Sequence, residues 1–190
     1  GTAGVAHVSC LAEQAKILFA EAEENNLGAK AVDERFRRWD TCSLCKQKYH
    51  GVVLCALGWA CWKTYLGRPE TPAGRMAMNN LGNGLSVAEH QEDALSVREA
   101  QLSMLRRLGA SEGIILGTQS NLANTYATMG RLEQASQMER DIYRGYLKLN
   151  GEEHGKTLIA AINYASSLIS LERFEEAKSL LSKATPVARR

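Results

Sequence analysis

The sequence predicts an all-α protein: a solenoid of stacked helix pairs, preceded by a small zinc-finger-like segment. Three observations predict it. Asn80-Leu81-Gly82-Asn83 returns as Asn121-Leu122-Ala123-Asn124 and again as Asn163-Tyr164-Ala165-Ser166, at steps of 41 and 42 residues. Ala94 of QEDA, Ala135 of LEQA and Ala177 of FEEA recur at the same two steps. Ahead of these repeats stand two ligand-like pairs, His7-x2-Cys10 and Cys42-x2-Cys45. Self-similarity at such a period marks a helical repeat array, in which one helix pair cannot bury its apolar face alone and neighbours must stack.

The N-terminal segment, residues 1–50, begins with the His7/Cys10 pair and a helix over about 11–24. A shorter helix follows over 31–38, then Trp39-Asp40-Thr41 leads into Cys42-Ser43-Leu44-Cys45. Two soft donors separated by two residues can face one ion, as tetrahedral zinc sites require, so zinc is the candidate cofactor. All four residues on one metal is one arrangement; separate metals for the two pairs is the other. The ordinary alternative is a solvated His7 and free thiols.

Residues 51–73 form the connecting stretch. Val52–Leu66 reads VVLCALGWACWKTYL, too short to span a bilayer and too apolar to stand exposed. It predicts a buried helix, with Cys55 and Cys61 as core residues and with Trp59 and Trp62 against Met76 and Leu81. Gly67, Pro69 and Pro72 make the break before the solenoid.

Residues 74–190 hold three repeats. In the middle one, apolar spacing predicts helices over 114–129 and 132–149. Leu122, Tyr126 and Met129 share one face, and Leu132, Ala135, Met138, Ile142 and Tyr146 another. Gly130 lies between them, where a helix end wants positive φ; Glu89 holds that place in the first repeat. Gly82, Ala123 and Ala165 on first helices, and Ala94, Ala135 and Ala177 on second helices, mark close helix contacts.

These repeat residues resemble tetratricopeptide repeats. The 42-residue spacing and the Asn-Leu-Ala-Asn phrase resemble the kinesin-light-chain type, over residues 74–190; Arg98 departs from the bulky apolar residue common at its place. The resemblance implies that first helices line the concave, partner-binding surface. That gives Asn80, Asn121 and Asn163, with Asn83, Asn124 and Ser166 one turn on, as candidate partner-binding residues. An amide donates and accepts at once, so a ladder of amides could hold an extended peptide largely irrespective of its sequence. The alternative is that each Asn bonds the neighbouring repeat and only fixes the stacking.

The N-terminal pairs resemble the second half of a RING-CH (RING-variant) zinc domain. The matching residues are Gly1-Thr2-Ala3-Gly4, then Ala6-His7-Val8-Ser9-Cys10-Leu11, a helix, and Cys42-Ser43-Leu44-Cys45-Lys46-Gln47-Lys48-Tyr49. The resemblance implies that His7 and Cys10 hold one zinc and Cys42 and Cys45 another, each completed from upstream. The start at Gly1, and the stop at Arg190 where the third repeat is ending, suggest a piece of a longer protein.

A net charge of +2 gives no electrostatic case for nucleic acid or an anionic membrane. No apolar run is long enough for a transmembrane segment. Five cysteines, an odd number, and no signal-peptide pattern point to an intracellular protein rather than a secreted one. Neither G-x-S-x-G nor a phosphate-binding loop occurs. The expectation is therefore a scaffold or adaptor, not an enzyme, binding a protein or peptide partner within a larger complex. Two alternatives stand beside it: a RING-CH ubiquitin-ligase component whose repeats recruit substrate, and a structural subunit docked permanently in a complex.

Overall fold

A computed structural model describes residues 6–68 and 70–188. The helices are α1 (Val8–Glu24), α2 (Ala29–Phe36) with a 3-10 turn Arg37–Trp39, α3 (Gly51–Thr64), α4 (Pro72–Val87) and α5 (Gln91–Arg107). They continue with α6 (Glu112–Thr128), α7 (Leu132–Asn150), α8 (Gly155–Ser170) and α9 (Phe174–Ala188). Among the described residues there is no strand, only an isolated antiparallel bridge between Thr41 and Lys48. The expected Gly1–Gly4 turn, Pro69 and Arg189-Arg190 lie outside the described residues. The chain forms two compact units, Gly1–Val97 and Arg98–Arg190, whose boundary falls within α5. The sequence segments 1–50, 51–73 and 74–190 follow ligand pairs and period; packing groups the residues differently.

The first unit folds around aromatic rings. Ala15, Phe19 and Ala22 recur at helical spacing and bury one face of α1. Phe19 meets Phe36 edge-on at 5.1 Å and Tyr65 at 5.5 Å, and Trp39 meets Tyr65 at 6.1 Å. Each such edge contact adds about 0.5–1.5 kcal/mol beyond area burial. Ala15, Cys61, Ala73 and Ala77 complete this core, so α1, α2, α3 and α4 share one apolar interior. Burial raises the Tyr65 hydroxyl and Cys61 thiol pKa values well above their ordinary values, keeping both neutral.

α3 lies on α4 with almost no side chain between. A Cβ on Gly58 would stand 2.8 Å from the Asn80 carbonyl oxygen, and one on Gly84 2.8 Å from the Cys55 Cα. The helix expected to connect is therefore the closest neighbour of α4. Cys61 is fully buried and Cys55 half-buried. Trp62 packs on Leu81, Leu85 and Ala94. Trp59 stays 41% exposed and stacks edge-on against Trp62 at 5.7 Å, while Met76 packs on the aromatic core instead. Trp59 sits on the outward side of α3, because Gly58 must face α4. At the start of α4, Thr71 Oγ1 accepts from the Gly74 N–H at 3.1 Å and Pro72 takes the first helical position.

In the second unit α6, α7, α8 and α9 pack in chain order, each on the next. Leu116, Ala123, Ile142, Tyr146 and Ala160 form one core cluster; Ala165, Leu168 and Ala177 form another. Helices 112–128 and 132–150 match the expected 114–129 and 132–149 to within two residues. Ala123, Ala135, Ala165 and Ala177 are all at most 2% exposed, as close helix contact demands. Thr157 Oγ1 donates to the Tyr146 carbonyl at 3.2 Å, satisfying a buried hydroxyl.

The helix ends repeat more faithfully than the sequence does. Glu89, Gly130 and Glu172 take φ of 66°, 74° and 59°. In each case the next N–H reaches back to a carbonyl one turn earlier, at 2.9 Å: His90 to Leu85, Arg131 to Tyr126 and Arg173 to Leu168. Glu89 and Glu172 therefore adopt a conformation costing a side-chain-bearing residue about 1–2 kcal/mol, which the stacked pairs impose.

Gly58→Ala tests the backbone contact of α3 with α4. Alanine would gain about 1 kcal/mol of helix propensity at that position. The Asn80 carbonyl must nevertheless move, and overpacking of this kind costs about 1–3 kcal/mol. Urea denaturation should show a net loss of stability; a gain would show that α3 does not need this close approach.

Candidate functional site

Two cavities contain candidate asparagines, one in each unit. In the first unit Asn80 lines a cavity of about 210 Å3 with Asp33, Phe36, Asp40 and Met76 among its walls. Its Nδ2 donates toward the Cys61 sulfur at 4.0 Å, which ties the amide to α3. Asn83 lies one turn on and is exposed.

The second unit brings three of the six candidates together. Asn124 of α6 and Asn163 and Ser166 of α8 line a cavity of about 130 Å3, whose floor includes Ala123, Ala135 and Glu139. Their meeting follows from the small residues: Ala123, Ala135 and Ala165 let three helices approach without a side chain filling the gap. Asn124 and Ser166 are exposed and Asn163 half-buried, so the polar wall opens to solvent. Ile162 and Ile169 of α8 are also exposed.

Asn121 does not line this cavity. Its backbone carbonyl oxygen accepts from Thr125 Oγ1 at 3.2 Å and from the guanidinium Nη1 of Arg98. Arg98, the residue that departs from the repeat pattern, is 6% exposed. It fills the usual apolar place with its stem and bonds a helix carbonyl with its head. Burial lowers its pKa. Tyr126, a turn beyond Asn121, donates its hydroxyl to Glu99 Oε1 at 3.1 Å.

Sequence reasoning passed over Glu139. It lies on the buried side of α7 and is 2% exposed, with Oε2 buried and lacking a hydrogen-bond partner. Burial pushes its carboxyl up to about 7. The signal was legible: Glu139 comes four residues after the close-contact Ala135, which places a carboxylate on the packed face of the helix.

The four candidate metal ligands stand on the surface or near it. His7 caps α1 and is exposed, as are Cys10 and Cys45, while Cys42 is half-buried. The Cys42–Cys45 turn is closed by the Thr41–Lys48 bridge and by the Cys42 N–H donating to the Gln47 carbonyl at 2.9 Å. Hydrogen bonds from the backbone N–H groups of Cys45 and then Leu44 lower the Cys42 thiol pKa. Among the described residues no three His, Cys, Asp or Glu side chains gather as metal ligands. The segment's interior is the aromatic core, and no RING-CH domain is evident in it.

No helix of the described residues is long and apolar enough to cross a membrane. The tetratricopeptide-repeat family model matches residues 114–190. No curated protein matches the chain. The fold is similar to the nearly identical TPR-like repeats of a Podosopora anserina protein assigned as a kinesin light chain. That match has 18% identity and a TM-score of 0.60, and covers 98% of this chain and 79% of that one. A single-substitution variant of the same protein matches at 15% identity and a TM-score of 0.60, covering 97% of each chain. BtubC (BKLC) from P. vanneervenii matches at 10% identity and a TM-score of 0.51, covering 96% of this chain and 89% of its own. The fold is thus a tetratricopeptide-like helical solenoid, and the matches at 97–98% coverage extend that likeness to the N-terminal helices.

Glu139 makes stability depend on pH. Its folded-state value lies above the ordinary carboxylate value of 4.5, so the folded chain holds the proton more tightly than the unfolded chain. Its contribution is full below about 4.5 and is lost as pH rises through about 7. Glu139→Gln should therefore melt several degrees above the parent at pH 8, with the gap closing by pH 5. Equal melting curves at pH 8 would place the carboxylate in water.

Proposed function

We propose that this tetratricopeptide-like chain is a protein–protein interaction module, a scaffold or adaptor within a larger assembly, and not an enzyme. The observation that carries the reading is the cavity shared by Asn124, Asn163 and Ser166. Amide and hydroxyl groups from successive first helices stand together at an open edge, beside exposed isoleucines. A peptide backbone offers alternating donors and acceptors, and amides match both. The partner is an extended segment of another protein. The structural reading, in which the amides serve the stack, suits Asn80, whose amide turns toward Cys61.

Asn163→Ala tests the module. Losing one hydrogen bond of about 0.5–1.5 kcal/mol net should weaken partner binding from a few-fold to about tenfold. Helix content by circular dichroism should stay near that of the parent. Binding that falls only in proportion to folded protein would return this amide to a purely structural role.

One observation favours a second reading, in which the N-terminal thiols hold a soft metal as the RING-CH resemblance implies. The Cys42 thiol is held below its ordinary value by backbone N–H groups, and Cys45 shares its turn. This suits half of a tetrahedral zinc site, with ligands completed by His7 and Cys10 or by residues from elsewhere. Bound zinc would tie this turn to those ligands; a ligase role would be secondary to that metal. Zinc content measured on Cys42→Ser/Cys45→Ser against the parent decides it: loss of stoichiometric metal supports the reading, and metal-free parent protein prepared with zinc present overturns it.

A further inference from the structure

The cavity in the second unit has a chemical bias that a general peptide groove does not need. Glu139 sits in its wall, 2% exposed, with Oε2 buried and unpartnered. A buried carboxylate oxygen without a donor is costly to keep. The hydroxyls beside it do not supply that donor. Ser166 Oγ donates to the Ile162 carbonyl at 3.0 Å, and Ser170 Oγ donates to the Ser166 carbonyl at 3.1 Å. A hydroxyl has one proton to give, so both offer the cavity only lone pairs. Asn124, Asn163 and Ser167 are the remaining polar walls, and neither α6 nor α8 contributes a titratable group to the lining. The cavity therefore offers the Ser166 and Ser170 lone pairs and the Asn amides, with one carboxyl group as its single ionisable side chain.

The apolar walls complete the picture. Ala123, Ala127, Leu132 and Ala135 line the same space. A ligand that suits it carries an apolar stem and a cationic, donor-only head, which is the build of a basic side chain. The volume of about 130 Å3 gives room for such a head. One water takes a share of about 30 Å3, so the space exceeds what a single bridging water would fill.

We propose that this cavity seats a lysine or arginine side chain of the extended peptide partner, with Glu139 as its counter-charge and the Ser166 and Ser170 hydroxyls as further acceptors. The assignment rests on the peptide-binding reading and adds the residue class that the partner presents. The pKa of Glu139, pushed up to about 7 by burial, fits a carboxyl waiting for such a partner: a bound cation would restore the ionised form.

The test uses two probes on the full chain, followed by amide NMR. One is acetyl-Gly-Ser-Ala-Lys-Ala-Ser-Gly-amide; the other replaces its lysine by norleucine, which keeps the stem and removes the charge. The lysine probe should move the Asn124, Glu139, Asn163 and Ser166 amides saturably. It should bind about tenfold more tightly than the norleucine probe, the scale of one charge-assisted hydrogen bond. Glu139→Gln, its fold checked by circular dichroism, should bind the two probes alike. If both probes bind the parent equally, or if Glu139→Gln keeps the preference for lysine, the cation seat is overturned while the peptide groove stands. If neither probe moves these amides, the seat and the groove fall together.

Discussion

Close approach of helix backbones is the constraint on which the molecule depends. Where α3 meets α4, Gly58 and Gly84 leave no room for a Cβ. In the second unit Ala135 and Ala177 are almost wholly buried at the same relative place in successive second helices. Small residues at these points set the spacing of the stack, and larger side chains then fill what remains: Leu81 and Leu85 in one unit, Leu116 and Ile142 in the other. The enforced left-handed φ of Glu89 and Glu172 follows from the same constraint. The turn must close in one way for the next helix to land in contact, and packing overrides the residue's own preference.

Close packing also decides the fate of polar groups drawn inside. Arg98 finds the Asn121 carbonyl, and Thr157 finds the Tyr146 carbonyl. Glu139 Oε2 finds no hydrogen-bond partner among the described residues. Buried polar atoms are nearly always paired, so the exception draws attention to the cavity that Glu139 lines. That space is also where Asn124, Asn163 and Ser166 converge, so the buried carboxyl and the candidate binding groups line one cavity.

The N-terminal helices show how two signals can compete over the same residues. Their cysteine and histidine spacing resembles a metal module, yet Phe19, Phe36, Trp39 and Tyr65 already supply an interior shared with α3 and α4. The Cys42–Cys45 turn sits at its edge, where backbone N–H groups favour the thiolate irrespective of what binds there.

The sequence alone determined the helical class, the repeat period and the close-contact positions, because a repeated helix pair writes its spacing into residue size and polarity. The ends of α6 and α7 and the burial of Ala94, Ala135 and Ala177 were legible for that reason. It also marked Asn124, Asn163 and Ser166 as equivalent places on first helices. Only the tertiary structure decided that these three share a cavity that Asn121 does not line, and that the Asn80 amide turns to Cys61. Period fixes a residue's phase on its helix but not which neighbour reaches it first. The lack of a partner for Glu139 Oε2 became visible only in the packed structure. The place of Glu139 on the packed face of α7 could be read from Ala135 four residues earlier, but whether a donor reaches a buried carboxyl depends on everything packed about it, which local spacing does not record.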